Sequence, residues 1–240
     1  MLTKLLDPLL TVFYPQHCRS CGAVIEKFAL GAACRNCWTA TRIFSGKETV
    51  CSKCSRFLSE KESPTEVFCR LCDAHFYERA RAAGLYEKAL QASVLNLKKR
   101  PFVSKKLREV FTAAFERSGF CGIDLIVPVP LSKKRFLERG FNQAEVLGNI
   151  IAAETGIELD GQSLMRRLHT PAHRSGMDTR ARELSVENAF EVKRRKPVKG
   201  KNILLVDDVF TSGATVSAAA KVLKKAGAGQ VNVLTLARAF

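Results

Sequence analysis

The chain has 240 residues and a mass of 26.5 kDa, enough for one large domain or two small ones. With 46% hydrophobic and 26% charged residues it can bury a sizeable core, which excludes disorder as its main state. The formal net charge of +16 favours polyanionic partners, and no apolar run approaches the roughly 18 residues of a spanning helix, which excludes membrane insertion.

In chain order, Met1 to Tyr14 comes first, with Leu5, Leu6, Leu9, Leu10 and Phe13 at helical spacing. Asp7 and Pro8 interrupt it and no small-residue cleavage site precedes Cys18, so a secretory signal is not expected and the compartment reads as cytoplasmic. A short helix packing on its own protein is favoured over one lying on a membrane surface. Next come eight cysteines in four CxxC pairs: Cys18/Cys21, Cys34/Cys37, Cys51/Cys54 and Cys69/Cys72. The repeat of 33 residues from Cys18 to Cys51 and 35 from Cys34 to Cys69 reads as one small unit used twice. Two pairs of thiolates complete the tetrahedral sulfur shell that Zn²⁺ prefers, so up to two structural zinc ions are expected. In-order pairing into two sites is preferred over an interleaved arrangement. Such closed shells have no open coordination position, so they fold the segment and do not catalyse. Reduced free cysteines or vicinal disulfides are disfavoured by the spacing and by a reducing cytosol. The ninth cysteine, Cys121, reads as a buried small hydrophobe.

Beyond residue 77 the pattern alternates between strand and helix signals. Strands are expected near Ala80 to Tyr86, over Asp124 to Val129, over Lys201 to Asp207 and, with alternating burial, over Gln230 to Arg238. Helices are expected over Val103 to Gly119, from Asn142 to Thr155 with a stop at Gly156, and from Ala214 to Ala226 with a stop at Gly227. This predicts an α/β domain, a mostly parallel sheet with flanking helices over residues 77–240, behind a Cys-rich zinc-ribbon module over residues 1–76. Net charge divides as +3 for the module and +13 for the domain, so the polyanion signal lies in the latter. Leu159 to Lys199 is rich in Arg and Lys with little apolar periodicity, and reads as a long functional loop or hood.

The most specific segment runs from Ile203 to Thr215. A strand ends in Asp207 and Asp208, and a small-residue turn opens a helix at Ala214. Backbone N–H groups and a helix dipole at such a turn cradle a phosphate. Thr211, Ser212 and Thr215 can add hydroxyl donors, and Gly213 permits close approach. The two carboxylates would repel a phosphate, so their partner should be a polyol or a metal bound beside it, and a ribose 5-phosphate, with its 2′- and 3′-hydroxyls on the aspartates, meets both demands.

On these residues the sequence resembles the type I phosphoribosyltransferase family, which implies binding of phosphoribosyl pyrophosphate (PRPP) with Mg²⁺; Phe210 is bulkier than the residue most members carry. With Pro128-Val-Pro130, Lys133, Lys134, Arg135 and Arg139-Gly-Phe-Asn-Gln143 behind four cysteine pairs, it further resembles the ComF (ComFC) competence family over essentially the whole chain. The likeness includes Leu97-Lys-Lys and Asn188-Ala-Phe190, and departs at His173-Arg-Ser-Gly176. It implies a site with Asp207, Asp208 and Arg139 as catalytic residues and Asp207, Asp208, Thr211, Ser212, Gly213, Ala214 and Thr215 as PRPP ligands. Lys133, Arg135 and Arg139 would neutralise the pyrophosphate with Mg²⁺, and Arg166, Arg167, His169, Arg174, Arg180 and Arg182 fit a closing flap. In some members an acidic residue three positions after the second carboxylate takes a proton; here Thr211 stands there, leaving His169 or His173 as substitutes.

The resemblance also implies a role in handling single-stranded DNA during uptake, with the DNA-uptake machinery as a partner. Lys98 to Arg100 with Lys105 and Lys106, and Lys193 to Lys196 with Lys199 and Lys201, are expected outside the ribose site, where they could follow a nucleic-acid backbone. A solvated surface is the more ordinary use of such runs. The alternative is a phosphoribosyltransferase of nucleotide metabolism without a DNA role. No helix-turn-helix precedes the domain, which disfavours a transcriptional regulator.

Overall fold

The computed structural model describes residues 15–58, 69–167 and 189–239. The stretch Met1 to Tyr14 and the flap candidates His169, His173, Arg174, Arg180 and Arg182 lie outside the described residues.

Two long strands form the centre, β5 (Ile203–Phe210) and β6 (Val231–Arg238), flanked by the short strands β1 (Ala80–Ala82) and β2 (Leu125–Pro128). The order is β1-β6-β5-β2 and every pairing is parallel, with Leu125 opposite Ile203, Ile203 opposite Val231 and Ala80 opposite Val233. All eight residues of β6 are buried, which corrects the expected alternation: a parallel strand covered on both faces needs none. Strand β5 outruns its expected end at Asp207, because β6 continues beside it and pairs Val209 with Ala237 and Phe210 with Arg238. Asp207 and Asp208 therefore stand within the ladder rather than after it.

The helices are α1 (Arg35–Thr39), α2 (Lys88–Leu97), α3 (Lys105–Arg117), α4 (Lys133–Arg139), α5 (Gln143–Thr155) and α6 (Ala214–Lys225). Side-chain caps start three of them: Ser104 accepts from Leu107 N, Ser132 from Arg135 N and Asn142 from Ala144 N. Helix α2 is not among the expected elements, although Leu90, Val94 and Leu97 recur at helical spacing and are fully buried. The region expected as a bare loop over 159–199 carries a small antiparallel ladder, β3 (Leu164–Arg166) with β4 (Phe190–Val192). It is anchored by buried Asp160, which accepts from Gln162 N, Ser163 N and the Ser163 hydroxyl.

Alternate residues of the sheet feed two cores. On one face Leu204, Val206, Leu234 and Leu236 pack with α2, α3 and α5. On the other, Ile203, Leu205, Val231 and Val233 pack with α6. The cysteine pairs divide between them: Cys18, Cys34 and Cys37 belong to the first core, Cys51, Cys54 and Cys72 to the second. Cys121, expected inside, is exposed, because it lies in the tight turn of Gly119 to Gly122 that leads into β2. Among the described residues no helix is long and apolar enough to cross a membrane.

Candidate functional site

Asp207 and Asp208 lie at the carboxyl end of the central strand β5, where an open parallel sheet commonly binds its ligand. A cavity of about 320 Å³ opens there. Arg135 and Arg139 reach it from α4, Arg166 from β3, Thr211 from the turn after β5 and Thr215 from the first turn of α6. Arg139 donates to the Gln143 side chain at 2.7 Å, which sets its direction. Arg166 lies over the Phe190 ring at 5.3 Å.

Lys98 corrects the sequence expectation. It is not on an outlying basic surface; it caps the end of α2, lines the cavity and pairs with Asp208 at 3.1 Å. The structure thus sets two carboxylates against four cations from three elements. Asp207 has its carboxyl pushed up to about 8, first by burial and then by the adjacent Asp208 charge, so near neutral pH it holds a proton. Lys133 is exposed on the first turn of α4 and does not line the cavity, unlike Arg135 and Arg139.

The turn after β5 is packed from behind. Ser212 accepts from Ala214 N at 3.3 Å, and Gly213 caps α6 with φ of 85°. A Cβ on Gly213 would come within 2.7 Å of Phe210 Cζ and 2.8 Å of His75 Cε1, so glycine is required by protein neighbours as well as by its left-handed backbone. Ser212, Gly213 and Ala214 do not line the cavity, whereas Thr211 and Thr215 do.

His75 belongs to the cysteine segment, and it is one of several contacts by which that segment holds the turn. Phe76 N donates to Ser217 Oγ at 3.2 Å. Tyr77 meets Phe210 edge-on with ring centroids 6.1 Å apart. Arg238, buried at the end of β6, lies over Phe210 at 4.6 Å, donates to the Cys54 carbonyl and reaches Cys54 Sγ at 3.9 Å. The bulky Phe210 is therefore the wedge between the cysteine segment and the aspartate strand. Sequence reasoning missed Lys98, His75, Tyr77 and Arg238; the only local signal was the unusual size of Phe210.

The cysteines form two groups, Cys18/Cys21/Cys34/Cys37 and Cys51/Cys54/Cys69/Cys72, each with its four sulfurs within 4.8 Å of one another. In-order pairing is therefore the arrangement found. Close sulfur pairs are 3.7 Å (Cys18 to Cys37), 3.6 Å (Cys21 to Cys34), 3.6 Å (Cys51 to Cys72) and 3.5 Å (Cys54 to Cys69). A tetrahedral zinc with Zn–S of about 2.3 Å needs sulfurs about 3.8 Å apart, whereas a disulfide needs about 2.05 Å. Backbone N–H groups of Ser20 and Cys69 point at Cys18 and Cys51 sulfurs, at 3.4 and 3.2 Å, as suits thiolate charge. Both groups fit structural zinc, which would supply folding energy and no chemistry.

Residues 9–75 match the double zinc ribbon domain family, and residues 146–239 match the phosphoribosyl transferase domain family. The DNA utilization protein YhgH of Salmonella typhi is 37% identical over 132 residues, 55% of this chain and 56% of that protein. Competence protein F of Haemophilus influenzae is 34% identical over 117 residues, 48% of this chain and 51% of that protein. These matches span about half the length of each relative. Competence protein ComFC of Bacillus subtilis is 26% identical over 227 residues, 84% of this chain and 89% of that protein. The parallel sheet with helices on both faces has the type I phosphoribosyltransferase fold, and the chain, which matches a double zinc ribbon ahead of a phosphoribosyl transferase domain, is similar in sequence to the competence protein F, ComFC and YhgH proteins.

Proposed function

We propose that the chain, a zinc module (residues 1–76) joined to a phosphoribosyl transferase domain (77–240), binds PRPP with Mg²⁺ and acts in handling single-stranded DNA during its uptake. The observation that carries the PRPP reading is the gathering of Asp207, Asp208, Lys98, Arg135, Arg139 and Arg166 around one cavity at the end of the sheet, with Lys98 paired to Asp208. Carboxylates accept hydrogen bonds from the vicinal hydroxyls of a ribose, while guanidinium groups fit the oxygens of a pyrophosphate. Thr211 and Thr215 suit the 5-phosphate. Asp207 and Asp208 are the residues that would hold Mg²⁺ beside the sugar, with loss of the Asp207 proton, and the ion would supply charge neutralisation for the pyrophosphate.

Transfer to a base needs a proton acceptor beside the nucleophile. Among the described lining residues the only carboxylates are Asp207 and Asp208, which this reading commits to the ribose. The chain is therefore read first as a PRPP-binding protein. The DNA part rests on the names of the homologues and on the +16 charge of the chain. Calorimetric titration of PRPP with and without Mg²⁺, with pyrophosphate release followed after adding bases, tests the reading. Saturable Mg²⁺-dependent binding is expected; pyrophosphate release with a base would make the chain a transferase, and no binding would refute the site.

A further inference from the structure

A second cavity, of about 390 Å³, lies between the first cysteine group and the segment joining α2 to α3. Its walls include His17, Arg19 and Phe28 from the first ribbon and Asn96, Arg100 and Phe102 from the end of α2 and the turn beyond it. Among the described residues no carboxylate lines it, in contrast with the Asp207 cavity. Arg19 sits between Cys18 and Cys21, and its N–H donates to the Ala32 carbonyl at 3.0 Å, so the metal-binding turn fixes where its guanidinium starts. Phe102 is 59% exposed, a large apolar ring left facing solvent beside two guanidinium groups.

Cations that follow a backbone and rings that receive base faces are the two components of single-strand recognition. A duplex hides its base faces in the stack and a folded protein ligand has no regular phosphate charge, so an open ring beside a basic wall without a carboxylate among the described residues suits a single strand. We propose that this cleft is where single-stranded DNA binds: Arg19 and Arg100 contact the phosphates, and a base stacks on Phe102. The inference rests on the DNA-handling reading and gives it an address. It also assigns distinct duties to neighbouring residues at the end of α2, with Lys98 facing the aspartates and Arg100 facing the cleft.

The test is fluorescence anisotropy with a labelled oligodeoxythymidine and the full zinc-loaded chain, over a series of salt concentrations. Phe102→Ala should weaken binding roughly 5- to 150-fold, the range for loss of one base–aromatic stack, without changing the salt slope. Arg19→Ala combined with Arg100→Ala should lower the slope by about 1.4, from roughly 0.7 per phosphate contact. Zinc content and PRPP affinity should be unchanged in both variants, which separates loss of the cleft from loss of the fold. A duplex of equal length should bind at least about tenfold more weakly, since its bases cannot reach the ring. If both variants bind like the parent while replacing Lys193 to Lys196 by Ala removes binding, the cleft assignment is wrong and DNA follows that other surface. If the parent chain does not bind the oligonucleotide at all, the DNA-handling reading fails and the inference with it.

Discussion

The two four-cysteine groups share one spacing and one donor set, yet they are built into different parts of the molecule. The first lies with α2, α3 and α5 on one face of the sheet, where Thr41 accepts from Ala89 N and so docks the ribbon onto the start of α2. The second lies with α6 on the opposite face and presses His75, Tyr77 and, through Arg238, the Cys54 carbonyl against the strand and turn that carry the aspartates. Equal donor sets thus serve unequal ends: one group walls the basic cleft, the other braces the turn after the aspartate strand. A metal shell is a rigid point, and what it makes rigid depends on which residues touch it.

That contrast is open to direct attack. Cys54→Ser and Cys21→Ser should each lower the zinc content measured by elemental analysis from the two per chain that the two groups imply to about one. Only Cys54→Ser should abolish PRPP binding in calorimetry; Cys21, exposed on the first ribbon, should leave the affinity within about threefold. Equal losses would erase the distinction between the groups.

The double substitution Asp207→Asn with Asp208→Asn acts on the braced side alone. Charge-assisted hydrogen bonds are worth about 1.5–3 kcal/mol each, so PRPP binding should weaken by roughly 100-fold or more while oligonucleotide binding is kept. Unchanged PRPP affinity would refute the ribose assignment.

A smaller effect comes from protonation. Burial and the Asp208 charge raise the Asp207 carboxyl to about 8, so the ligand-free protein holds a proton there that Mg²⁺-PRPP should displace. Affinity should therefore rise about tenfold from pH 7 to pH 9 and level off above, as the ionised fraction of such a group does. Without ligand the sign is reversed: the folded state keeps a proton that the unfolded chain releases, so this group's contribution to stability falls as pH rises from about 4 to about 8. DNA binding should lack this profile, since among the described residues no carboxylate lines the cleft. A PRPP affinity independent of pH over that range would remove Asp207 from the site.

The smallest effect tests the brace itself. Gly213→Ala places a methyl group within 3 Å of both Phe210 and His75 at a φ of 85°. The cost of at least about 1 kcal/mol should appear as roughly fivefold weaker PRPP binding with both zinc ions retained. No change in affinity would mean that the second ribbon merely lies beside the turn.

Much of this was legible along the chain because it is written in short-range spacing. Four CxxC pairs state their donor set and their two-fold repetition, and in-order grouping is how the sulfurs meet. Ile203 to Thr215 shows strand, acidic pair, small-residue turn and helix within thirteen positions, and the folded chain has the strand, turn and helix in that order with the acidic pair inside the strand. The burial of β6 on both faces and the continuation of β5 through Asp208 were not legible, since neighbouring strands decide each. Lys98 read as one member of a basic run, and nothing within that run marks it as the partner of Asp208.

The sequence by itself determined the metal chemistry, the acidic pair and the α/β class, because each depends on residues a few positions apart whose geometry follows from local backbone rules. Only the tertiary structure decided which face each cysteine group would occupy, where Lys98 and Arg100 would part company, and how Arg238 would tie the last strand to Cys54, 184 positions away. Those contacts form when the parallel sheet closes and buries both faces at once, and no periodicity along the chain records which distant side chains then meet.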